Sequence, residues 1–265
     1  ILTSDNHTYL NRIDWGQLKI YRRKQPTLLG LTASLAEYGN SPLAARLAVA
    51  RQRDVDFFYS FRSPIYIAER TEYRPFMDSG YQILSVEFGA NVIDYYPVHG
   101  IRRDIPYVFF GSINPDKTYR YIRYFSKIFS STAGYIEGVG WRNFDSRSSA
   151  ESQRLIYARA IVGVNLHLPE QIKWANELNE RTYILAACGV PQIIDTPALL
   201  ADRFSKDCFF IGGTPREYRN AFSEAQNNPK LRSEKALKAL KQVYERHTTL
   251  HRAAKLVEDL TSLHK

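Results

Sequence analysis

The stretch Asn176–Asp195, NELNERTYILAACGVPQIID, joins a capped helix to a buried strand and predicts an α/β protein. Asn179 belongs to the residue types that cap helices, and apolar residues recur at helical spacing over Tyr183–Val190. Gly189 is typical of the left-handed residue that ends a helix. The run Gln192–Asp195 then predicts a buried strand, so the stretch contains a complete helix-to-strand unit.

The start of this helix predicts an anion-binding site. The first backbone amides of a helix lack helical partners and carry the positive end of the helix dipole, so they attract phosphate or carboxylate. Arg181 falls in the first turn and can add paired hydrogen bonds. Candidate binding residues are therefore Asn179, Glu180, Arg181 and Thr182. The alternative is a helix cap with a structural ion pair.

From Pro106 onward, predicted strands and helices alternate as in a doubly wound, Rossmann-like parallel sheet. The strands are predicted at Tyr107–Gly111, Tyr135–Glu137, Ile161–Asn165, Gln192–Asp195 and Cys208–Ile211.

Helices are predicted between these strands and after the last of them. The C-terminal helix carries a continuous apolar stripe and many basic residues. The predicted helices are Lys117–Phe129, Ser152–Ala160, Asn179–Cys188, Ala198–Phe204, Pro215–Gln226 and a basic helix from Lys230 to Lys265.

Small or polar residues follow each predicted strand. Ligands in open α/β sheets bind outside the carboxyl ends of the strands, so these residues are expected to converge on one crevice. Ordinary turn chemistry explains any two of them. Trp141 can stack on a nucleobase or pack in the core. The candidate residues at these ends are Gly111, Ser112, Gly140, Trp141, Asn165 and His167.

The first 104 residues are less regular. Three strands are predicted at Thr27–Leu31, Val55–Tyr59 and Gln82–Glu87, with a helix near Pro42–Arg53. We place the domain boundary between residues 104 and 105. Glu87 and His99 lie near this boundary, where a general base can reach a substrate hydroxyl; a solvent-exposed loop position is the alternative for both.

Composition indicates a globular chain with a full core. The 265 residues are 44% hydrophobic, and no window approaches the roughly 18 uninterrupted apolar residues of a membrane span. The start Ile1–Asp5 is unlike a signal peptide, and without an initiator Met we expect a processed or truncated product. Cys188 and Cys208 are expected to be reduced, packed thiols, which favours a cytoplasmic location.

The positive charge is concentrated in the C-terminal part. Residues 1–104 contain 13 basic and 11 acidic residues, and 105–265 contain 23 and 16, so +7 of the net +9 lies in the second part. From Lys230 to Lys265 there are 9 basic and 4 acidic residues. A packed helix with a solvated basic face explains this run. Contact with a membrane surface on its cytoplasmic face, or with a polyanionic acceptor, is the alternative.

Four motifs, in order, carry a resemblance to a known family. The segment Asn176–Asp195 resembles the C-terminal half of GT-B glycosyltransferases, in particular the group-1-like branch with the CgeB-type spore maturation proteins. YVFFGS at Tyr107–Ser112 resembles the family's first strand and phosphate loop, and GVGW at Gly138–Trp141 resembles its second strand end. HTTLHR at His247–Arg252 resembles the closing helix, so the resemblance covers roughly residues 81–265.

The resemblance implies a glycosyltransferase of GT-B-like α/β fold. A C-terminal domain, residues 105–265, is then expected to bind a nucleotide-diphosphate-sugar donor, with no metal and no other cofactor required. An abbreviated or truncated N-terminal α/β domain, residues 1–104, is expected to face a glycan, lipid-linked or protein acceptor. Transfer of a hexose is the expected reaction.

Position 184 departs from the family. Family members usually have an acidic or basic residue three positions after the arginine, commonly a glutamate that holds the donor's ribose hydroxyls. Ile184 cannot accept those hydrogen bonds. This difference motivates an alternative, in which the chain is a non-catalytic GT-B-like binding or scaffold protein.

Other function classes have weaker support. No Ser-His-Asp order, Walker loop, zinc-cysteine cluster or G-x-G-x-x-G is present, which disfavours hydrolase, NTPase and dehydrogenase activity. His247 and His251 have helical spacing but no nearby third ligand, so we expect no metal site. Tyrosines alternate with arginines over Tyr119–Tyr124, yet they are expected to pack on the sheet, and nucleic acid is not an expected partner.

Overall fold

The computed structural model describes residues 2–3, 12–22, 25–32, 42–113, 115–141 and 148–263. The chain divides into two compact units, Ile1–Glu87 with Ala253–Lys265, and Phe88–Arg252. This division comes earlier in the chain than the predicted boundary between residues 104 and 105.

The earlier division has a physical reason, since the segment 88–104 packs on the second unit. The Ala90 amide donates to the carbonyl of His247 (2.8 Å). The Tyr95 hydroxyl donates to Gln153 (2.9 Å), and Arg154 donates to the carbonyl of Asp94 (2.8 Å). These hydrogen bonds tie the segment to helices that lie much later in the sequence.

The first unit contains a four-stranded parallel sheet in the order β1-β2-β3-β4. Its core includes Leu29, Phe58 and Phe76, all essentially buried. The predicted strands and helix of this region agree with the structure to within two residues at each end, whereas the two-residue β1 has no periodic pattern by which to find it. The described elements are β1 Leu2–Thr3, α1 Trp15–Arg22, β2 Leu28–Gly30, α2 Pro42–Gln52, β3 Phe57–Ser60, α3 Pro64–Glu69, α4 Arg74–Asp78 and β4 Ile83–Ser85.

The second unit contains a five-stranded parallel sheet in the order β6-β5-β7-β8-β9. Its strands are β5 Ile105–Phe110, β6 Tyr135–Glu137, β7 Ala160–Val164, β8 Gln192–Ile194 and β9 Phe210–Ile211.

The helices that follow these strands are close to the predicted ones. Short α7 is an addition that the sequence pattern did not reveal. The helices are α5 Pro115–Ser131, α6 Ala150–Arg159, α7 Pro169–Lys173, α8 Glu180–Ala187, α9 Leu200–Arg203, α10 Pro215–Asn227, α11 Pro229–Arg246 and α12 Thr249–Leu263.

Helices cover both faces of this sheet, as the predicted doubly wound architecture requires. Alternate residues of β5 point to opposite faces. Phe109 packs in one buried cluster with Phe125 of α5 and Tyr218 of α10. Val108 packs in another with Tyr157 of α6 and Leu185 of α8. The sheet is therefore the buried centre of the unit, and its strand ends remain to form a site.

The strand order reverses at β5, with β6 on one side of it and β7 on the other. In open α/β sheets, the crevice at such a switch point, outside the carboxyl ends of the strands, is where ligands bind. Gly111 follows β5 and Asn165 follows β7. The topology thus selects the ends of these two strands as the site.

The prediction of one helix from Lys230 to Lys265 is wrong at residues 247–248, where α11 ends and α12 begins. His247 is buried, and its Nε2 lies 2.8 Å from the carbonyl oxygen of Arg203. The Thr248 hydroxyl accepts from the His251 amide (3.2 Å), which is the geometry of a helix cap. None of the helices in the described part combines the length and apolar content that a membrane crossing needs.

Candidate functional site

A cavity of about 440 Å³ opens at the carboxyl ends of β5 and β6, beside the start of α8. Five predicted residues line it: Gly111, Ser112, Asn179, Glu180 and Arg181. The prediction therefore located the cavity from one helix start and one strand end. Its other lining residues, which come from distant parts of the sequence, are Tyr95, Phe110, Lys117, Glu137, Gln153, Tyr157 and Ile184.

Arg181 is held from several directions. Its Nε donates to the carbonyl of Phe110 (2.7 Å), and its Nη1 donates to Asn165 Oδ1 (3.1 Å). The guanidinium carbon lies 4.3 Å from the centre of the Phe109 ring. Since the ends of β5 and β7 each contribute a contact, the switch point itself fixes the guanidinium.

The remaining nitrogen of Arg181, Nη2, has no hydrogen-bond partner in the described part of the chain. It lies over Gly111, where an added Cβ atom would be 2.1 Å from it. Any side chain at position 111 would displace the guanidinium. The structure thus leaves Nη2 able to donate to an anion in the cavity.

Asn179 caps α8, as predicted. Its Oδ1 accepts from the Thr182 amide (3.1 Å), and its Nδ2 donates to Asn165 Oδ1 (2.8 Å) and to the Leu166 carbonyl (3.2 Å). The cap therefore ties the helix start to the segment that follows β7. This places the positive end of α8 beside Arg181 at the cavity.

Asn165, His167 and Thr182 lie behind the cavity wall, although the sequence placed them in the site. All three are essentially buried. Thr182 Oγ1 lies 2.9 Å from Asn165 Nδ2 and 3.3 Å from His167 Nε2. Their role is to hold the strand end and the helix start together, because the ligand-facing surface is already formed by Asn179 and Arg181.

Asp195 anchors this buried network. Its Oδ1 lies 2.7 Å from His167 Nδ1, and its Oδ2 accepts from Arg120 Nη2 (2.6 Å). Burial acts to raise the pKa of the Asp195 carboxyl, but the hydrogen bonds from His167 and Arg120 outweigh it and leave that pKa below its usual value. The carboxylate is thus ionised and fully enclosed.

Glu137 provides a second fixed carboxylate, at the end of β6. It accepts from the amide and hydroxyl of Ser148 (2.5 Å each) and from the Tyr135 hydroxyl (2.7 Å). Burial acts to raise the pKa of Glu137, and these hydrogen bonds bring it below its usual value. Glu137 and Glu180 line the same cavity as Lys117 and Arg181.

Gly140 and Trp141 do not line the cavity. The Trp141 indole donates to the carbonyl of Gly111 (2.8 Å) and its ring is stacked on Tyr121, with planes 10° apart and centroids separated by 6.3 Å. The ring is partly buried against the aromatic core, so its contacts here are those of the core-packing alternative. Through its indole hydrogen bond, Trp141 holds the backbone of Gly111 in place.

Gly138 is expected to tolerate no side chain. Its φ is +145°, and an added Cβ would lie 2.3 Å from the backbone oxygen of Gly111. In urea denaturation, we expect Gly138→Ala to lower the free energy of unfolding by more than the roughly 1–3 kcal/mol of a strained backbone position, because the clash with Gly111 adds to the strain. Gly100→Ala is the control, because its φ is +77° but nothing lies near an added Cβ. Equal losses in both variants would contradict the close approach to Gly111.

His99 lies elsewhere in the second unit. It lines a cavity with Gly189, at the end of α8 opposite to Arg181. A helix of eight residues is about 12 Å long, so the structure does not bring His99 to the Arg181 cavity. The reason is that the segment 88–104 leads to the amino-terminal end of β5, whereas the Arg181 cavity lies at the carboxyl end of that strand. Glu87, the last residue of the first unit's main segment, is also absent from the described lining.

Two further expectations concern metals and tyrosines. Within the described ranges, no three His, Cys, Asp or Glu residues are grouped to hold a metal ion, and metal independence stays a prediction. Tyr121 and Tyr124 pack in the core, while Tyr119 is 71% exposed. Arg120 binds Asp195, so the run offers no continuous surface of tyrosines and arginines.

Sequence comparison gives one match. A family model described as glycosyl transferase-like matches residues 120–258, about half of the chain. No curated protein sequence is significantly similar to the chain.

Three solved structures illustrate the structural likeness. Sucrose-phosphate synthase from Thermosynechococcus elongatus is 15% identical, with 94% of this chain and 72% of that chain covered and a TM-score of 0.64. Anabaena HepE in complex with UDP and glucose is 12% identical, with 98% of this chain and 77% of that chain covered and a TM-score of 0.65. T4 phage BGT in complex with UDP-glucose is 12% identical, with 96% of this chain and 79% of that chain covered and a TM-score of 0.59. These likenesses confirm the predicted GT-B-like fold, and the CgeB-type branch stays a prediction.

Proposed function

Because the chain belongs to the glycosyl transferase-like family, we propose that it transfers a sugar from a nucleotide-diphosphate-sugar to a glycan, lipid or protein acceptor. The observation that carries this proposal is the fixed Arg181 guanidinium, whose Nη2 lies over Gly111 at the switch-point cavity. A diphosphate is the ligand that a guanidinium beside a helix start fits best.

The reaction requires stabilisation of a leaving diphosphate. The oxygen of an acceptor hydroxyl forms a bond to the anomeric carbon and gives up its proton to the solvent, the bond from that carbon to the diphosphate oxygen breaks, and the electron pair stays on the diphosphate. Arg181, Lys117 and the start of α8 supply positive charge where this negative charge develops. In our proposal these groups replace a metal ion, and Gly111 and Ser112 contribute backbone close to the phosphates.

The nucleotide is proposed to be UDP. HepE and the T4 phage BGT, which share this fold, are both solved in complex with UDP-glucose. The cavity volume of about 440 Å³ lies within the range of small-molecule sites, roughly 300–1,000 Å³. On the same similarity, we propose a hexose as the transferred sugar.

Glu180 is proposed to take over the ribose contact that Ile184 cannot make. The two residues are four apart on α8, so they lie on the same face of the helix, and both line the cavity. A carboxylate accepts hydrogen bonds from two neighbouring hydroxyls, as a ribose requires. In this proposal Glu180, one helical turn before Ile184, accepts the hydrogen bonds from the ribose hydroxyls.

Glu180→Gln is expected to weaken UDP binding about tenfold or more, because a hydrogen bond to a charged group contributes roughly 1.5–3 kcal/mol. Adding Ile184→Glu to this variant is expected to restore most of the affinity in calorimetric titrations. Glu224→Gln, on the exposed side of α10, is the control. Unchanged UDP affinity in Glu180→Gln would contradict the assignment.

Nucleotide release tests the function as a whole. The chain is incubated with UDP-, GDP-, ADP- and CDP-sugars, with and without oligosaccharide, lipid-linked and protein acceptors, and free nucleotide is measured. Acceptor-dependent release from one sugar nucleotide is the expected result. Binding of the nucleotide without release from any donor would argue against transfer. A cytoplasmic location and membrane contact through the basic C-terminal helices stay predictions from the sequence.

A further inference from the structure

A second cavity, of about 520 Å³, lies at the opposite edge of the same sheet. Arg103 precedes β5, Ala158 precedes β7 and Pro191 precedes β8, so this is the edge where the strands begin. One flank of α11 forms a further wall, from Pro229 to Leu240. The arginine site described above lies at the other end of α8.

Two guanidinium groups line this second cavity. Arg103 donates through Nη1 to the Ala160 carbonyl and through Nη2 to the Gly189 carbonyl (2.8 Å). Arg232 donates through Nη1 to the carbonyls of Ala225 (2.5 Å) and Gln226 (2.8 Å). These four acceptors are neutral backbone groups, which position the side chains and neutralise no charge.

Neither guanidinium has a carboxylate partner in the described part of the chain. Arg103 is exposed to solvent, yet partial desolvation at the cavity wall lowers its pKa, and the positive charge of Arg232 lowers it further. Burial also lowers the pKa of Arg232. The two positive charges line one cavity and repel each other, and an anion bound between them neutralises both. A guanidinium has five N–H donors, so both side chains keep donors for a ligand.

The rest of the wall is of mixed character. His99 adds a polar ring, and Val98, Leu237 and Leu240 add apolar surface. Leu237 is 65% exposed although it is a large aliphatic side chain beside the charged groups. A ligand that covers both parts of the wall has an anionic group and an apolar portion.

We propose that this second cavity binds a phosphate monoester whose apolar part rests on the flank of α11. A phosphate monoester carries a charge of about −1.5 to −2, which matches two guanidinium groups, whereas a carboxylate matches one. The source is a phospholipid headgroup or a free organic phosphate. The site is separate from the proposed donor cavity, so it adds a second anionic ligand to this chain.

Titration calorimetry with inorganic phosphate, at constant ionic strength, tests the charge pair. Arg103→Gln and Arg232→Gln are each expected to weaken phosphate binding about tenfold or more, as the loss of a charge-assisted contact predicts. Arg102→Gln is the control, because this neighbouring arginine does not line the cavity. Equal weakening in all three variants, or none in the first two, would overturn the proposal.

Chemical protection provides a test without substitutions. Phenylglyoxal modifies arginine, and mass spectrometry measures the rate at each position in the unaltered chain. Phosphate is expected to slow modification of Arg103 and Arg232 and to leave Arg102 unchanged. Phosphate binding must also persist in Arg181→Gln. Protection of Arg181 alone would place the phosphate in the other cavity and overturn the proposal.

Vesicles distinguish the two sources. Co-sedimentation is measured with phosphatidylcholine vesicles that contain or lack phosphatidic acid, whose headgroup is a phosphate monoester. A lipid ligand is identified if the chain binds only the vesicles that contain phosphatidic acid and if this binding requires Arg103 and Arg232. Phosphate binding without vesicle binding identifies a free organic phosphate. If neither phosphate nor vesicles bind in a manner that depends on Arg103 and Arg232, the site does not exist.

Discussion

Arg181→Ala is expected to lower the rate of sugar transfer by about 100- to 1,000-fold, the usual effect of removing a group that stabilises developing charge. The arginine is pre-positioned by the Phe110 carbonyl and by Asn165, so its free Nη2 needs no rearrangement to meet a leaving diphosphate. Because these interactions strengthen as the bond to the anomeric carbon breaks, the turnover number falls more than donor affinity. Steady-state kinetics with a sugar nucleotide and acceptor measure both quantities.

Three controls separate this effect from a loss of structure. Arg181→Lys keeps the charge but loses the planar fork, so an intermediate rate is expected. Arg123→Ala removes a cation from α5 outside the cavity and is expected to leave the rate unchanged. Thermal unfolding of each variant shows whether the loss of the contacts to Phe110 and Asn165 destabilises the unit. An Arg181→Ala variant that folds and keeps full activity would exclude the proposed role.

Asp195→Ala is expected to lower the free energy of unfolding by about 3–5 kcal/mol, as the removal of one partner from a buried ion pair does. The Asp195 side chain is fully buried and binds both His167 and Arg120. Its loss leaves the Arg120 guanidinium, 18% exposed, without its carboxylate. Urea denaturation at neutral pH measures the change.

The control is Glu245→Gln, which removes an exposed partner of Lys241 and is expected to change stability by about 0.5 kcal/mol or less. The pH dependence adds a second check. The pKa of Asp195 is lowered by folding, so its contribution is present above the carboxyl's unfolded pKa of about 3.9 and is lost as pH falls through the lower folded value. A stability difference between parent and Asp195→Ala that grows in acid would contradict this account.

Local signals in the sequence were sufficient for the order of elements and for one side of the site. Asn179 is a strong capping type, and the cap is present with the expected bond to the Thr182 amide. Gly111 follows a strand of aromatic and β-branched residues, and it does lie beside Arg181. These features depend on short-range preferences, which one sequence reveals directly.

The rest of the site depends on contacts between distant residues. Trp141 is 30 positions from the Gly111 carbonyl to which it donates. A single tryptophan after a glycine does not indicate which residues its ring will contact. In the sequence, Glu137 is simply the last residue of a strand. Only the structure shows that Ser148 and Tyr135 donate hydrogen bonds to its carboxylate. The location of His99 and the break after Arg246 were not predicted for the same reason, since tertiary packing decides both positions.

UDP binding at the Arg181 cavity is the central claim, and a thermal-shift titration tests it most directly. At a hundred times its dissociation constant, a ligand stabilises the fold by about 2.7 kcal/mol, which raises the melting temperature by roughly 5–10 °C for a unit of this size. We predict such a shift for UDP, smaller effects of GDP, ADP and CDP, and a smaller shift with UDP in Arg181→Ala. The absence of a shift with all four nucleotides, or an equal shift in Arg181→Ala, would contradict the account.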